Sequence, residues 1–363
     1  MTLIKKLNPE IRKSKKLSRA IGLDVSVLDY SVIGSHKLLK ARDAIDYAED
    51  FGYEGVLAIT SGNYGNALDI VGEKSRVQPI CFMRMKEPCK VKYNENRKPI
   101  VRLKLPDKWF ADAFSLEKYW NKLQTSFFTR HFDENARELC NSPDFVRFLS
   151  YLRKHHLDYK NFKGVTNLCD WGHDNPYLTK EVYEVFENND IILVPIGSGE
   201  LFNAFQEAKK SNRKFKNRFL IGVTSEANPL SWNAIFNKRI ADHSVADKLD
   251  VSRIGVAHKK IKRLADDNTF FVNIPDTYIY AGSGLHNQFK KESPDSSASL
   301  TSGICEGALL YHRDINGFPQ CYVFEYPKET NHNLRHRNIF IKDAIPVELD
   351  LNGRVCVINT GGD

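Results

Sequence analysis

Three times in this chain an apolar run stops abruptly in a loop of small residues, and this pattern restricts the fold more than any other feature. Gly55-Val56-Leu57-Ala58-Ile59 empties into Thr60-Ser61-Gly62-Asn63-Tyr64-Gly65. Ile191 to Ile196 runs into Gly197-Ser198-Gly199, and Arg354 to Ile358 runs into Asn359-Thr360-Gly361-Gly362. Short continuous apolar runs read as strands covered on both faces, as in parallel sheets. Helical spacing surrounds them: Leu38, Ala41, Ile45 and Ala48 before the first, Ala67-Leu68 with Ile70-Val71 after it, and Leu201 to Ala208 after the second. Strand, small-residue loop and helix in repeated order predict an α/β fold with parallel-rich sheets flanked by helices. Such loops leave backbone N–H groups able to meet an anion where a helix begins.

Further strands are predicted over Val77 to Met83, Ile100 to Leu105 and Phe219 to Val223, and a helix over Glu181 to Phe186. The helix beginning at Leu38 is expected to stop near Phe51-Gly52. A polar loop with Gly282, Gly284 and Pro294 is expected before a helix from Ser302 to His312. The stretch from about Glu87 to Gly164 is rich in lysine and aromatics, with helical spacing over Asp112 to Leu123 and Asp144 to Leu152. It reads as a mobile small lobe with an insertion. The resulting division is a large lobe of residues 1–50 and 165–363 and a smaller lobe of residues 51–164. The basic N-terminus, with Lys5, Lys6, Arg12, Lys13, Lys15, Lys16 and Arg19, has no apolar signal-type core and reads as a solvated helix.

Bulk properties remove several classes. With 363 residues, 42% hydrophobic and 27% charged, the chain has the composition of a globular protein with a sizeable core. No apolar run approaches membrane-spanning length. The net charge of +8 is scattered, without helix-turn-helix or zinc-finger spacing, so it reads as a surface that attracts anionic substrates rather than nucleic acid. Seven cysteines (81, 89, 140, 169, 305, 321 and 356) include no C-x-x-C pair, which argues against a zinc site or a disulfide framework. Cys356 lies inside Val355-Cys356-Val357-Ile358, the setting of a small buried hydrophobe, and the cytoplasm is the natural compartment. His155-His156 reads as solvated. His173, between Asp170 and Asp174, lacks a third spaced ligand, so no metal is expected. Neither Gly-x-Gly-x-x-Gly nor a Walker sequence occurs, which disfavours a nucleotide-binding domain.

One lysine completes the set. Lys37, in Gly34-Ser35-His36-Lys37, supplies an amine that can condense with an aldehyde. In this order the four segments resemble the fold-type-II pyridoxal-phosphate enzymes, the tryptophan-synthase-β superfamily that includes threonine synthase, cysteine synthase and serine/threonine dehydratase. The resemblance implies a two-lobe fold, pyridoxal 5'-phosphate held as a Schiff base on Lys37, and a small amino acid as substrate. Ser35, Lys37 and Ala41 match the family's Ser-x-Lys-x-Arg-x-Ala, with Leu39 in place of the arginine. A second frame, Lys40-Ala41-Arg42-Asp43-Ala44, recovers the arginine but loses the serine; Lys37 is preferred because its spacing to Ser61 suits the family better.

By the same resemblance, Thr60, Ser61, Gly62 and Asn63 would hold the substrate carboxylate, and Asn63 also the cofactor's ring hydroxyl. Gly197, Ser198, Gly199, Glu200 and Leu201 would cradle the cofactor phosphate. Thr360 would stand beside the ring nitrogen. Glu200 departs from the family's glycine-rich loop and is expected to point away from the phosphate. Glu306 begins a helix that lines the site in relatives, where it would orient the cofactor or cap the helix. The implied chemistry is elimination or replacement at the β or γ carbon of an amino acid. Threonine synthase-like activity comes first, from chain length and the C-terminal threonine, and cysteine synthase-like activity follows, from Thr-Ser-Gly-Asn. A deaminating dehydratase and a non-catalytic small-molecule-binding relative are the alternatives, the latter motivated by Leu39 and Glu200. Many members of the family are dimers, which makes a homodimer an expectation.

Overall fold

The structure, a computed structural model, describes residues 8–59, 63–73, 75–84, 101–105, 162–166, 175–226, 246, 256–290, 300–315, 317, 321–325, 340–344 and 353–361. The chain groups into two compact units, one of Met1–His36 with Asp170–Asp363 and one of Lys37–Cys169. In chain order the described elements begin with β1 (Glu10–Lys13), α1 (Lys15–Ile21), β2 (Val25–Asp29), α2 (Lys37–Asp50), β3 (Gly55–Ile59) and α3 (Asn63–Gly72). Next come β4 (Gln78–Arg84), β5 (Val101–Leu105), β6 (Phe162–Thr166), α4 (Lys180–Asn188), β7 (Ile191–Pro195) and α5 (Glu200–Ser211). They continue with β8 (Phe219–Ser225), α6 (Val256–Leu264), β9 (Thr269–Ile274), α7 (Asp276–Lys290), α8 (Ile304–Ile315), β10 (Cys321–Glu325), β11 (Phe340–Ala344) and β12 (Val355–Asn359).

In the larger unit eight described strands form one sheet in the order β1-β2-β12-β7-β8-β9-β10-β11. The five central strands, β2 to β9 in that order, are parallel; β1, β10 and β11 add antiparallel at the edges. The central strands are buried and mostly apolar because both faces are covered. Val25, Val27, Ile191, Leu193, Ile221, Val223, Val355 and Val357 meet Leu17 and Ile21 of α1, Ile279 of α7 and Ile304, Ala308 and Leu309 of α8 in one core. Helices α4 and α5 pack together, with Phe186 and Phe205 at a ring-centroid distance of 6.0 Å and Phe186 stacked on Phe215 at 5.2 Å.

The basic N-terminus is not a solvated helix throughout its described part. Glu10–Lys13 pairs antiparallel with β2, and α1, capped by Ser14 Oγ accepting from Leu17 N, buries Leu17 and Ile21 while Lys15 and Arg19 stay exposed. Two apolar residues one turn apart are enough to dock a seven-residue helix on the core.

The smaller unit carries a parallel sheet ordered β5-β4-β3-β6. Helix α2 buries Leu38, Ala41, Ile45 and Ala48 as their spacing requires, and Gly52, at φ +70°, ends it where expected. This helix, expected in the large lobe, packs on α3 within the smaller unit. The helices expected over Asp112 to Leu123 and Asp144 to Leu152 lie outside the described residues, as does Pro294.

Gly282 and Gly284 do not form a loop; both lie inside α7. A β-carbon on Gly282 would sit 2.0 Å from the Gly303 carbonyl oxygen and 2.4 Å from Gly307 N, and one on Gly303 would sit 2.2 Å from Ser283 N. The backbones of α7 and the start of α8 therefore touch, and only glycine permits that approach. Helix-interior glycine is unfavourable by itself, so local pattern alone points to a loop. Gly282→Ala is expected to destabilise the protein by about 1–3 kcal/mol through overpacking. Gly284 is exposed with nothing within 4 Å of its would-be β-carbon, so Gly284→Ala is expected to be stabilising by roughly 0.5–1 kcal/mol. Urea denaturation of the two variants checks the pair, and equal effects would contradict the packing argument.

Candidate active site

Strand β12, last in the sequence, lies between β2 and β7. From β7 the chain winds through β8 to β9 on one side, while β2 lies on the other, so the winding reverses at β12. In open parallel sheets ligands bind outside the carboxyl ends of the strands at such a reversal. The carboxyl ends of these three neighbouring strands carry Ser31 to His36, Asn359 to Gly361, and Gly197 to Gly199.

The first two of these segments are stitched together. Tyr30 N donates to the Asn359 carbonyl (2.9 Å), His36 N donates to the Thr360 carbonyl (3.0 Å), and Ser35 bridges Gly361. His36 Nδ1 lies 3.1 Å from the same Thr360 oxygen, and because a carbonyl only accepts, that ring nitrogen is assigned the proton. The His36 ring is flanked by Tyr30 and Tyr177 at centroid distances of 6.2 and 5.4 Å. Lys37, the next residue, opens α2 and is half-buried. The peptide leading into Lys37 is thus held against the end of β12, although the two lie more than three hundred residues apart in sequence.

Two glycines make the turns possible. Gly361 has φ +64°, and a β-carbon there would meet Ser31 Cα at 2.8 Å and the Gly34 carbonyl oxygen at 2.9 Å. Gly199, at φ +84°, is the N-cap of α5 and supplies no capping side chain; a β-carbon would lie 2.9 Å from Ile261 Cδ1. A twelve-residue helix that begins on bare glycine is suited to an anion such as a phosphate. Glu200, expected to point away, is half-buried with its Oε2 3.5 Å from Ser198 Oγ, and its backbone carbonyl accepts from Asn175 Nδ2 (3.1 Å). A carboxylate near this loop would disfavour a phosphate bound there. Gly197 and Leu201 are buried beside it, and Thr360 is buried at the end of β12. The glycine cradle and the neutral hydroxyl fit a phosphorylated pyridine; among the described residues the acid at position 200 is the one unfavourable element.

In the smaller unit, Thr60, Ser61 and Gly62 lie outside the described residues, and Asn63 is the first residue of α3 after β3. Lys40 is 2% exposed and its Nζ lies 5.8 Å from the centroid of Tyr64, so it serves the packing of α2 on α3. His155, His156 and His173 lie outside the described residues, and among those described no cluster of acids, histidines and cysteines could hold a metal. No described helix is long and apolar enough to cross a membrane.

Two of the described cysteines, Cys305 and Cys356, are buried and held as thiols. Burial pushes the Cys356 thiol up to about 12, and burial together with the neighbouring Glu306 carboxylate pushes Cys305 well above the ordinary thiol range. Burial, helped by Glu181, likewise raises Tyr30 and keeps its phenol neutral. Sequence reasoning missed Asp29 and His286, both fully buried and both joined to Asn359. No local signal marks either one: an aspartate after an apolar run reads as a turn, and a histidine near two glycines reads as a loop.

No protein-family model matches the chain, and no curated protein matches it in sequence. Solved structures do match over nearly the whole length. A pyridoxal 5'-phosphate-dependent aspartate racemase aligns with TM-score 0.58 at 15% identity, covering 98% of this chain and 90% of that one. The processed form of threonine deaminase isoform 2 from Solanum lycopersicum aligns with TM-score 0.58 at 14% identity, covering 98% and 84%. The O-acetylserine dependent cystathionine beta-synthase from Helicobacter pylori aligns with TM-score 0.59 at 15% identity, covering 100% and 96%. The chain has the fold of the fold-type-II pyridoxal-phosphate enzymes, as its motifs led one to expect.

Gly361→Ala is expected to lower stability by about 1–3 kcal/mol, the cost of a non-glycine residue held in a left-handed or crowded conformation. Chemical denaturation with circular dichroism measures it, and an unchanged midpoint would contradict the turn described here. Cys305 and Cys356 are expected to resist iodoacetamide at pH 8 in the folded protein and to react after unfolding; peptide mapping of either as labelled in the native state would contradict their burial.

Proposed function

We propose that the chain is a pyridoxal 5'-phosphate-dependent enzyme that acts on a small amino acid, with Lys37 as covalent anchor and proton carrier. The observation that supports this reading is the fastening of Ser35-His36, the residues just before Lys37, to Thr360-Gly361, the turn bearing the hydroxyl. The glycine loop after β7 would take the phosphate through its N–H groups, despite Glu200. Asn63 would meet the ring hydroxyl, and Thr60, Ser61 and Gly62 the substrate carboxylate. When bound, the cofactor withdraws electrons from the substrate's α-carbon and makes its proton removable. Lys37 Nζ, as a free amine, would accept that proton. Thr360 offers a neutral hydroxyl, which cannot keep the ring nitrogen protonated as a carboxylate would. That suits elimination and replacement better than transamination.

Elimination or replacement at the β or γ carbon is the favoured outcome, threonine synthase-like first and cysteine synthase-like close behind, with dehydratase-type deamination next. Racemisation is a second reading, supported by the likeness to an aspartate racemase. It needs only that the α-proton return to the other face. Titration with serine, threonine, O-acetylserine and O-phosphohomoserine, followed by product analysis, separates these outcomes: loss of the side-chain substituent means elimination or replacement, and inversion with the substituent retained means racemisation.

Incubation with pyridoxal phosphate is expected to turn the protein yellow, and borohydride followed by peptide mass spectrometry to locate the attachment on Lys37. Lys37→Ala is expected to abolish attachment and to lower turnover by at least about 10²–10⁴-fold, the range for loss of a general base. Lys40→Ala is expected to keep the attachment and lose stability. A protein that stays colourless with added cofactor would point to the non-catalytic relative; attachment on Lys40 would show that the second frame is the right one.

A further inference from the structure

Beneath the Thr360 turn runs a chain of buried polar side chains that the mechanism above leaves unused. Asp29 Oδ1, at the end of β2, accepts from Ser31 N (2.9 Å), Ser31 Oγ (2.5 Å) and Asn359 Nδ2 (2.7 Å). Asn359 Nδ2 also lies 3.3 Å from His286 Nε2, and His286 Nδ1 lies 2.9 Å from Glu306 Oε1. His286 and Glu306 are 0% and 1% exposed. The α7–α8 glycine contact explains the meeting: His286 follows Gly282 by one turn, and Glu306 precedes Gly307.

The chain has one polarity. Gly361 N donates to Asn359 Oδ1 (3.0 Å), so the other end of that amide must be the nitrogen that faces Asp29 and His286. An amide nitrogen only donates, so His286 Nε2 carries a lone pair there. The imidazole is then neutral, with its proton on Nδ1 and donated to Glu306. Flipping the amide would set its nitrogen against Gly361 N–H and its oxygen against the Asp29 carboxylate. The same Asn359 Oδ1 to Gly361 N–H bond spans Thr360 and closes an Asx-type turn around it.

Two buried carboxylates are a costly way to fill a core, and among the described residues neither Asp29 Oδ2 nor Glu306 Oε2 has a hydrogen-bond partner. Apolar side chains of similar size would fill the same space at lower cost, so the cluster points to a need for orientation. We propose that His286 and Glu306 are positioning residues that hold Asn359 in one orientation, so that the turn around Thr360 presents its hydroxyl to the ring nitrogen of bound pyridoxal phosphate. This rests on the function proposed above.

The test is a thermodynamic cycle on binding. Dissociation constants are measured by absorbance titration for pyridoxal phosphate and its 1-deaza analogue, which has C–H in place of the ring nitrogen. The proteins are the native chain, His286→Leu, Glu306→Met and His286→Gln, with circular dichroism confirming that each is folded. The native chain is expected to prefer pyridoxal phosphate about 10-fold, the worth of one hydrogen bond. His286→Leu is expected to bring that ratio close to 1 by weakening pyridoxal phosphate alone. Glu306→Met, which keeps the volume and removes only the acceptor, should do the same if His286→Leu does not fold. His286→Gln, whose amide supplies both a donor and an acceptor, should retain the preference. If both ligands weaken equally and the ratio survives in Leu and Met variants, the cluster merely holds the fold and the proposal is wrong. A native chain that binds both ligands equally overturns the assignment of Thr360 and this proposal, but not cofactor use; one that binds neither overturns the proposed function itself.

Discussion

The parallel insertion of β12 between β2 and β7 is the constraint on which the rest depends. Its register sets Val355 against Val25 and Asn359 against Asp29 on one side, and Val355 against Ile191 on the other. A slip of one residue would exchange the face of Val355 and Val357, which share a core with α1 and α8, for that of Cys356 and Ile358, also buried. A slip of two would keep the faces but remove Asn359 from Asp29 and Thr360 from His36. With both faces of β12 apolar and buried, the polar contacts at the strand end are what distinguish this register.

Close backbone approach is the second organising fact. At Gly361 against Ser31 and Gly34, and at Gly282 against Gly303 and Gly307, main chains touch where any side chain would separate them. These contacts locate the polar groups with little freedom: His286 meets Glu306, Asn359 meets Asp29, and His36 meets the Thr360 carbonyl. Groups with defined positions before a ligand arrives need little reorganisation when one binds. Among the described residues, buried carboxylate oxygens without a hydrogen-bond partner occur at Asp29, Glu181 and Glu306.

Much of the fold was legible because its signals are local. The apolar runs of β3, β7, β8 and β12 and the helical spacing of α2 and α5 each fall within a dozen residues. The glycine loops that follow the strands could be read the same way. What escaped was nonlocal. Gly282 and Gly284 suggest a loop until the neighbouring backbone of α8 is in place. Lys37 and Lys40 share one helix and differ by three residues, so spacing alone leaves both available. Packing gives the two different surroundings, with Lys40 buried against Tyr64 and the residue before Lys37 hydrogen-bonded to Thr360.

The amino-acid order by itself determined which segments are strands and helices, where small residues open room for a ligand, and which lysines, serines and threonines are at hand. Those properties follow from side-chain periodicity and backbone sterics within short stretches. Only the folded chain decided that residues 29, 286, 306 and 359 form one buried hydrogen-bonded line. The physical reason is that burial and hydrogen-bond direction belong to pairs of segments brought together by sheet register, and no single segment carries them.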